Sequence, residues 1–542
     1  MNNPMNQLVS KSIATDAQYR IKGGIHPQEY KSLSNQQPIA SIQEPPFYIL
    51  PFSDLNKGST TTNLEIAQPV EQGQILINSE LANLSSVVHS PCDGVIADIS
   101  EFDLGHPSGL EQPAIKIQAM PKSELERSAH ADSLTDQIDY QSLTNEQLIK
   151  SVHQAGIVGL GGAGFPTHIK LSAPKDSIHT LIVNAMECEP YITCDDRLLR
   201  EHPQSVLKGA LIAAKTVSAN RILFGIEDNK PEAIAALKTA IENYFDELTS
   251  TQESLEIKII IAKTKYPSGG EKQIIELLTG QQVPKGQLPS SLGILVQNVA
   301  TLEALNKAIN QRQVMTKRLV TITGNLVGKP GNYWIPFGTP VSHIAEQLEV
   351  NLEQLACFIF GGPLMGTRHS NLEIPTKKST NCIIFDSAYK TLEYPAKHQE
   401  CIRCGECELA CPMNLVPQQL YWFAKSQQWE ALEEQQLFSC IDCAACSYVC
   451  PSEIPLVSYY QFAKSEIKDI KNKQIKSDLA KARFDNREKR LARIKAEREE
   501  KRRKAAEARQ LAAANKTNDP DGKKSAIEAA LQRVKAKKEN KP

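Results

Sequence analysis

The chain of 542 residues contains no apolar run approaching the roughly 18–20 residues that a membrane span needs. Met1 to Ser10 lacks a basic start followed by an apolar stretch, so no secretory signal is expected. Net charge is nearly absent too: 61 Lys and Arg stand against 62 Asp and Glu. The balance conceals a division, because Lys471 to Pro542 holds 24 Lys and Arg against 11 Asp and Glu. A basic tail is therefore attached to an acidic body. The tail has few aromatics to stack on bases and no recognised motif, which excludes nucleic acid as its expected partner. Its composition fits a solvated helix or a disordered extension, with contact to anionic lipid headgroups or an acidic partner protein as the alternative. Cysteine is not scarce, and its clustering argues for a reducing compartment, since an oxidising one favours disulfides.

Eight of the 13 cysteines fall in two copies of one spacing. The first is Cys401-x2-Cys404-x2-Cys407-x3-Cys411-Pro412 and the second Cys440-x2-Cys443-x2-Cys446-x3-Cys450-Pro451. Four thiolates converging on one cube are what an iron–sulfur cluster requires, and this is the spacing of two-cluster ferredoxins. Zinc also accepts four thiolates from paired C-x2-C units, but two complete runs ending in proline favour iron and sulfide. The likeness extends beyond the ligands, because Phe423-Ala424-Lys425-Ser426 recurs as Phe462-Ala463-Lys464-Ser465 at the 39-residue offset of Cys401 and Cys440. An internal duplication is expected, with Leu420, Phe423, Leu432 and Leu437 packing helices around the clusters. Resemblance to the two-cluster ferredoxins implies crossed ligands. One [4Fe–4S] cluster would use Cys401, Cys404, Cys407 and Cys450, the other Cys440, Cys443, Cys446 and Cys411.

A chain this long exceeds one hydrophobic core, and the pattern divides it into α/β and β parts. Residues 1–20 read as a flexible N-terminus, and 21–125 as short strands broken by turns at Gly73, Pro91 and Asp93-Gly94. Gln68 to Leu76 and Ser90 to Ile96 resemble the two halves of a biotinyl/lipoyl-like barrel-sandwich domain. Carrier versions hold a modifiable lysine at the tip between the halves. Ser79-Glu80-Leu81-Ala82-Asn83-Leu84 has none, which implies a structural or docking module. Residues 121–140 read as a linker. From 141 to 312 strands and helices alternate. Leu181–Val183, Ile222–Gly225 and Ile257–Ile261 are expected strands, and Pro231 to Leu248 an expected helix, of a largely parallel sheet. Residues 318–372 resemble a β-grasp module of the soluble-ligand-binding type, 395–470 form the α-helical two-cluster domain, and 471–542 the tail.

The second motif is Gly159-Leu160-Gly161-Gly162-Ala163-Gly164-Phe165-Pro166-Thr167-His168-Ile169-Lys170. Glycines let a backbone approach a phosphate and present N–H groups to its oxygens. The loop resembles the flavin-binding loop of the NADH-oxidising flavoprotein of respiratory complex I. Asn184-Ala185-Met186-Glu187-Cys188-Glu189-Pro190 resembles that family's Asn-Ala-Asp-Glu-Ser-Glu-Pro, and Gly270-Glu271 and Asn298 with Thr301 follow in order. The likeness implies that Gly161, Gly162, Gly164, Lys170, Asn184, Glu271 and Asn298 hold FMN. It places Phe165, Glu187 and Glu189 at the NAD(H) site, the two glutamates as its catalytic groups. Met186 for an acidic residue and Cys188 for serine are departures that bear on nicotinamide binding more than on flavin.

The barrel, the glycine loop and two cysteine runs in this order resemble the RnfC (RsxC) family of the Rnf electron-transport complex. That resemblance implies a peripheral subunit on the cytoplasmic face of the inner membrane. It would pass electrons between NADH or ferredoxin and membrane-bound partner subunits, with electron flow coupled to ion translocation. The competing expectation is a non-catalytic iron–sulfur relay and docking protein without a working nicotinamide site, serving to keep a redox-sensing regulator reduced. Cys188 and Cys194 are expected to be buried thiols rather than a redox pair, and Cys92, Cys357 and Cys382 packing residues. His168 is expected to have a surface or supporting role. Phe360 to Gly366 reads equally as a flavin-side loop or a domain-junction turn.

Overall fold

The computed structural model describes residues 13–52, 62–106, 109–120, 139–174, 176–247, 255–389, 398–516 and 522–539. Outside them lie residues 1–12 of the expected N-terminal tail, 121–138 of the expected linker, and Leu248. The chain divides into two compact units between Gln461 and Phe462.

Among the described residues the first unit is built on three larger sheets and a two-stranded hairpin. The central one has five parallel strands in the order Ala14–Asp16, Glu256–Ala262, Arg221–Glu227, Thr180–Ala185, Ile294–Asn298. Ile182, Val183, Leu223, Phe224 and Ile259 are fully buried, as strands covered on both faces require. Local chemistry starts and stops its helices. Thr144 and Gln147 form a reciprocal capping box on Asn145–Gln154. Pro203 opens Pro203–Val217, and Gly280, left-handed at φ +72°, closes Glu271–Thr279. The expected helix from Pro231 runs to Glu247.

Residues 13–16 correct the expectation of a flexible N-terminus over 1–20. Ile13 is buried, and the backbone of Ala14–Asp16 pairs with Ile259–Ile261. The edge of a parallel sheet offers free backbone groups that a short strand satisfies whatever its polarity.

The barrel region supplies a four-stranded antiparallel sheet, ordered Phe47–Pro51, Gln112–Ala119, Gly94–Phe102, Pro69–Val70, and the hairpin Ile75–Ile77/Val88–His89. The third sheet has six strands, ordered Thr367–His369, Phe358–Phe360, Cys382–Phe385, Lys317–Thr323, Gly331–Pro336, Ala40–Ser41. Helix Val341–Gln347 packs Val341 and Ile344 with Val320, Ile322 and Ile335 of that sheet. The sheet therefore reaches past residue 372 to Phe385 and borrows a strand from the N-terminal region.

Short helices Glu406–Ala410, Pro417–Lys425, Trp429–Glu434 and Ala445–Tyr448 carry the cysteine region. Leu420, Leu432 and Leu437 are buried there and Phe423 half-buried. Helix Leu456–Lys516 begins in the first unit, and its remainder with Gly522–Glu539 makes the second. In the second unit Ile475, Leu479 and Phe484 are exposed, and i,i+4 pairs such as Lys504–Glu500 at 2.8 Å line the surface. Among the described residues no helix is long and apolar enough to cross a membrane.

Candidate flavin and cluster sites

In the parallel sheet, chain order reverses between strands Thr180–Ala185 and Ile294–Asn298. Ligands of open α/β sheets bind beyond the carboxyl ends of the strands at such a switch point. Asn184 and Asn298 are register partners there. The Asn184 amide donates to the Gly269 carbonyl at 2.8 Å, and its oxygen accepts from the Met186 N–H at 3.2 Å. Asn298 caps helix Val299–Asn310 through the Ala300 N–H at 2.9 Å, and donates to Asp195 at 2.6 Å.

The glycine loop lies against this pair. A side chain begun at Gly161 would stand 3.3 Å from Asn298 Cβ. Gly162 has φ +111°, which excludes an ordinary L residue. The loop is tied at its base by Gly159 N–H to Phe165 O at 2.7 Å and Gly164 N–H to Gly159 O at 3.1 Å. Among the described residues, the N–H groups of the solvent-facing Gly161, Gly162 and Ala163 meet no protein acceptor. Three exposed, unspent donors suit a phosphate. Lys170 adds charge nearby and pairs with Glu271 at 2.8 Å, so these two expected site residues meet each other. Phe165 is half-buried at the loop's end.

Glu187 and Glu189 stand on the segment after Ala185 and point to different partners. Glu187, left-handed at φ +47°, accepts from the N–H groups of Asp195 at 2.6 Å and Asp196 at 3.3 Å. Desolvation pushes its carboxyl up to about 8, opposed by Lys31 and reinforced by Asp195. Glu189 accepts from the N–H groups of Leu364 at 2.8 Å and Met365 at 3.0 Å. Burial raises its carboxyl too, against these bonds and the Tyr266 hydroxyl. The loop Phe360–Gly366 therefore packs against Glu189, on the segment that follows strand Thr180–Ala185. Gly362 has no room for a side chain, which would lie 1.8 Å from Glu189 Cγ. Met186 is fully buried among Ile182, Leu223 and Ile274, so it fills core rather than facing a ligand.

Several organising residues carry no motif. Lys31, distant in sequence, donates to the carbonyls of Glu187 (2.7 Å), Glu189 (3.0 Å) and Ile192 (2.6 Å). Lys230 donates to the Met186 carbonyl at 2.7 Å. Tyr266 precedes the Gly269-Gly270 pair, the nearest thing to a signal for it. His168 is buried, not on the surface: it meets the Leu81 carbonyl at 3.1 Å and packs edge-on to His153 at 4.6 Å. The lysine-free tip of the barrel hairpin thus docks on the helix that follows the glycine loop.

The eight motif cysteines divide into two cavities. Cys401, Cys404, Cys407 and Cys450 line one, with Tyr421, Ile454 and Leu456. Cys411, Cys440, Cys443 and Cys446 line the other, with Leu415, Leu420 and Tyr460. Each set takes three cysteines from one run and the fourth from the other. Left-handed residues recur at the duplication offset: Arg403 with Asp442, Gly405 with Ala444, Asn414 with Glu453. The first two bends of each run lie between its first three cysteines and turn that loop, and the third follows its last cysteine. Burial pushes the Cys443 thiol up to about 11, and burial with its neighbouring thiols raises Cys446. Iron reverses that preference by holding thiolates. The sets differ in depth: Cys411, Cys443 and Cys446 are buried, while Cys404 is exposed. The buried set adjoins the carboxyl end of the parallel sheet, since the Tyr266 hydroxyl donates to the Cys443 carbonyl at 2.7 Å and Tyr266 packs with Ile25, Ala410 and Ala445. Of the other cysteines, Cys92, Cys194, Cys357 and Cys382 are buried, and the half-buried Cys188 accepts from the Gly269 N–H at 3.3 Å.

A phosphate cradle at a switch point beside two four-thiolate cavities defines an iron–sulfur protein with a flavin-type domain. Residues 19–120 match the family described as RnfC barrel sandwich hybrid domain, 152–307 the Nuo51 FMN-binding domain, and 400–454 the 4Fe-4S dicluster domain. The RnfC-type protein of the ion-translocating oxidoreductase complex of Haemophilus influenzae (strain 86-028NP) is 42% identical over 529 residues, 96% of this chain and 75% of the relative. Its counterpart from Pectobacterium atrosepticum is 40% identical over 515 residues, 95% of this chain and 70% of the relative. Against a second Haemophilus influenzae relative the chain spans 61% of the length. The chain belongs to the RnfC family of ion-translocating oxidoreductase complexes. An NAD+-reducing [NiFe]-hydrogenase structure is similar with a TM-score of 0.45 at 19% identity, covering 62% of this chain and 65% of that one.

Proposed function

We propose that this protein is an electron-transferring subunit of an ion-translocating oxidoreductase complex, carrying FMN in the α/β domain and two [4Fe–4S] clusters in the cysteine region. The observation that carries the reading is the adjacency of Tyr266, at the carboxyl end of the parallel sheet, to Cys443 in the deeper cysteine set. FMN supplies conversion between a two-electron hydride and single electrons, which clusters accept one at a time. The protein's own groups do the rest. Gly161 and Gly162 would hold the phosphate with Lys170 nearby, Gly164 would shape the loop through its N–H on the Gly159 carbonyl, and Asn184, Asn298 and Glu271 would hold the remainder of the flavin. Phe165, Glu187 and Glu189 would border the nicotinamide of NADH. With its carboxyl raised to about 8, Glu187 can keep a proton beside the site at neutral pH.

The cysteine sets would act in sequence, Cys411/Cys440/Cys443/Cys446 receiving electrons from the flavin side and Cys401/Cys404/Cys407/Cys450 passing them on. Depth supports that order, because Cys404 is exposed and able to approach a partner. The partners would be the complex's other subunits, including membrane-integral ones, with NADH or ferredoxin as redox partner. The protein would sit peripherally at the cytoplasmic face of the inner membrane, its basic tail adding electrostatic contact. Domain limits of 21–125, 141–312, 318–372 and 395–470 serve this reading, with the third as a β-grasp module extended by Cys382–Phe385.

A second reading rests on Met186 and Cys188: a relay and docking protein without a working nicotinamide site. Flavin extraction and NADH-dependent reduction of an artificial acceptor by anaerobically purified protein separate the two. Flavin with NADH turnover supports electron entry, and clusters without either support the relay.

A further inference from the structure

The glycine loop is held from behind by a cation that no motif announced. Arg318, on strand Lys317–Thr323, is 2% exposed. Its guanidinium donates to three carbonyls: Leu160 at 2.9 Å, Lys378 at 2.6 Å and Leu319 at 3.3 Å. Among the described residues it makes no ion pair, though Cys194 and Asp195 act on it electrostatically. Burying a guanidinium without a paired carboxylate is costly, so a charge kept there calls for a reason beyond packing.

The reason lies in the peptide it grips. In a trans peptide the carbonyl and the following N–H point in opposite directions. Fixing the Leu160 carbonyl on Arg318 therefore turns the Gly161 N–H away from the core, toward the solvent side of the loop. The preceding peptide is fixed as well, because the Leu160 N–H donates to Thr301 Oγ1 at 2.8 Å. The guanidinium also polarises the gripped peptide, making its N–H a stronger donor.

We infer that Arg318 is a positioning residue for the anionic phosphate of the flavin: it fixes the Leu160–Gly161 peptide and strengthens the Gly161 N–H without touching the cofactor. This inference rests on the flavin reading above, and its test separates the two. Flavin-stripped full-length protein is titrated with FMN and with riboflavin, which lacks the phosphate. Wild type should bind FMN more tightly. Arg318→Gln should weaken FMN about tenfold or more, the size of a charge-assisted hydrogen bond, and leave riboflavin nearly unchanged. Arg318→Lys should fall between, and it carries the same comparison if the glutamine variant does not fold. Lys378→Met removes an equally buried cation that donates to Gly156 O and Val87 O, so it should lower stability while keeping the preference for FMN. Equal losses for FMN and riboflavin, or no loss, in the Arg318 variants would overturn the proposal. Wild type binding neither compound would overturn the flavin reading instead.

Discussion

The hydroxyl of Tyr266 donates to the carbonyl of Cys443 at 2.7 Å, joining the loop that follows strand Glu256–Ala262 to the second cysteine run. The same ring packs with Ala445 and Ile25, so the joint excludes water as well as making a bond. Tyr266→Phe keeps the packing and leaves the carbonyl unsatisfied, at a cost of about 1–3 kcal/mol. The expected result is a lower Tm with full cluster content, and slower cluster reduction by NADH in stopped flow. An unchanged rate would detach this joint from electron transfer.

The crossed grouping of cysteines has its own test. Cys401→Ala should remove one cluster, about half of the bound iron. Adding Cys450→Ala should remove little more, because both residues line one cavity. Adding Cys411→Ala to Cys401→Ala should remove most of the rest, because Cys411 lines the other. Iron and acid-labile sulfide assays read the outcome, and the reverse pattern would mean that each run holds its own cluster.

The cysteine runs and their duplication were legible in sequence because the ligand spacing is local. The strands at Leu181, Ile222 and Ile257 were legible because each is a continuous apolar run. What escaped reading was pairing across distance. Ala14–Asp16 joins Ile259–Ile261, and Ala40–Ser41 joins Tyr333–Trp334, with no local pattern to announce either. Lys31 and Arg318 were missed for the same reason, since their roles are defined by carbonyls far along the chain. The flavin-loop motif showed which residues could face a ligand but not what held them in place.

Glu187 gives a pH prediction. Its folded carboxyl titrates near 8, above the ordinary value of 4.5. The folded state therefore binds the proton more tightly than the unfolded state does. The stability from this group is full below the unfolded value and is lost as pH rises through that window. Glu187→Gln should flatten the fall in denaturant midpoint between about pH 5 and 8. An identical pH profile in the variant would assign the dependence elsewhere, for instance to Asp195, which is raised as well.

The basic tail reads first as a solvated helix, and its alternative role, contact with anionic membranes, is salt-sensitive and separable from it. If the tail has that role, deleting residues 471–542 should reduce binding to anionic vesicles at low salt and matter little at high salt, where charge is screened within about 3 Å at 1 M. Unchanged binding at low salt would leave the tail as a solvated helix.

The central claim is a continuous path from a flavin to two clusters in one chain. An anaerobic NADH titration, followed by absorbance and electron paramagnetic resonance, tests it most directly. The account predicts bound FMN, iron and sulfide sufficient for two [4Fe–4S] clusters, and bleaching of the flavin accompanied by cluster signals. Stoichiometric zinc without acid-labile sulfide, or clusters that dithionite reduces and NADH leaves oxidised, would contradict it.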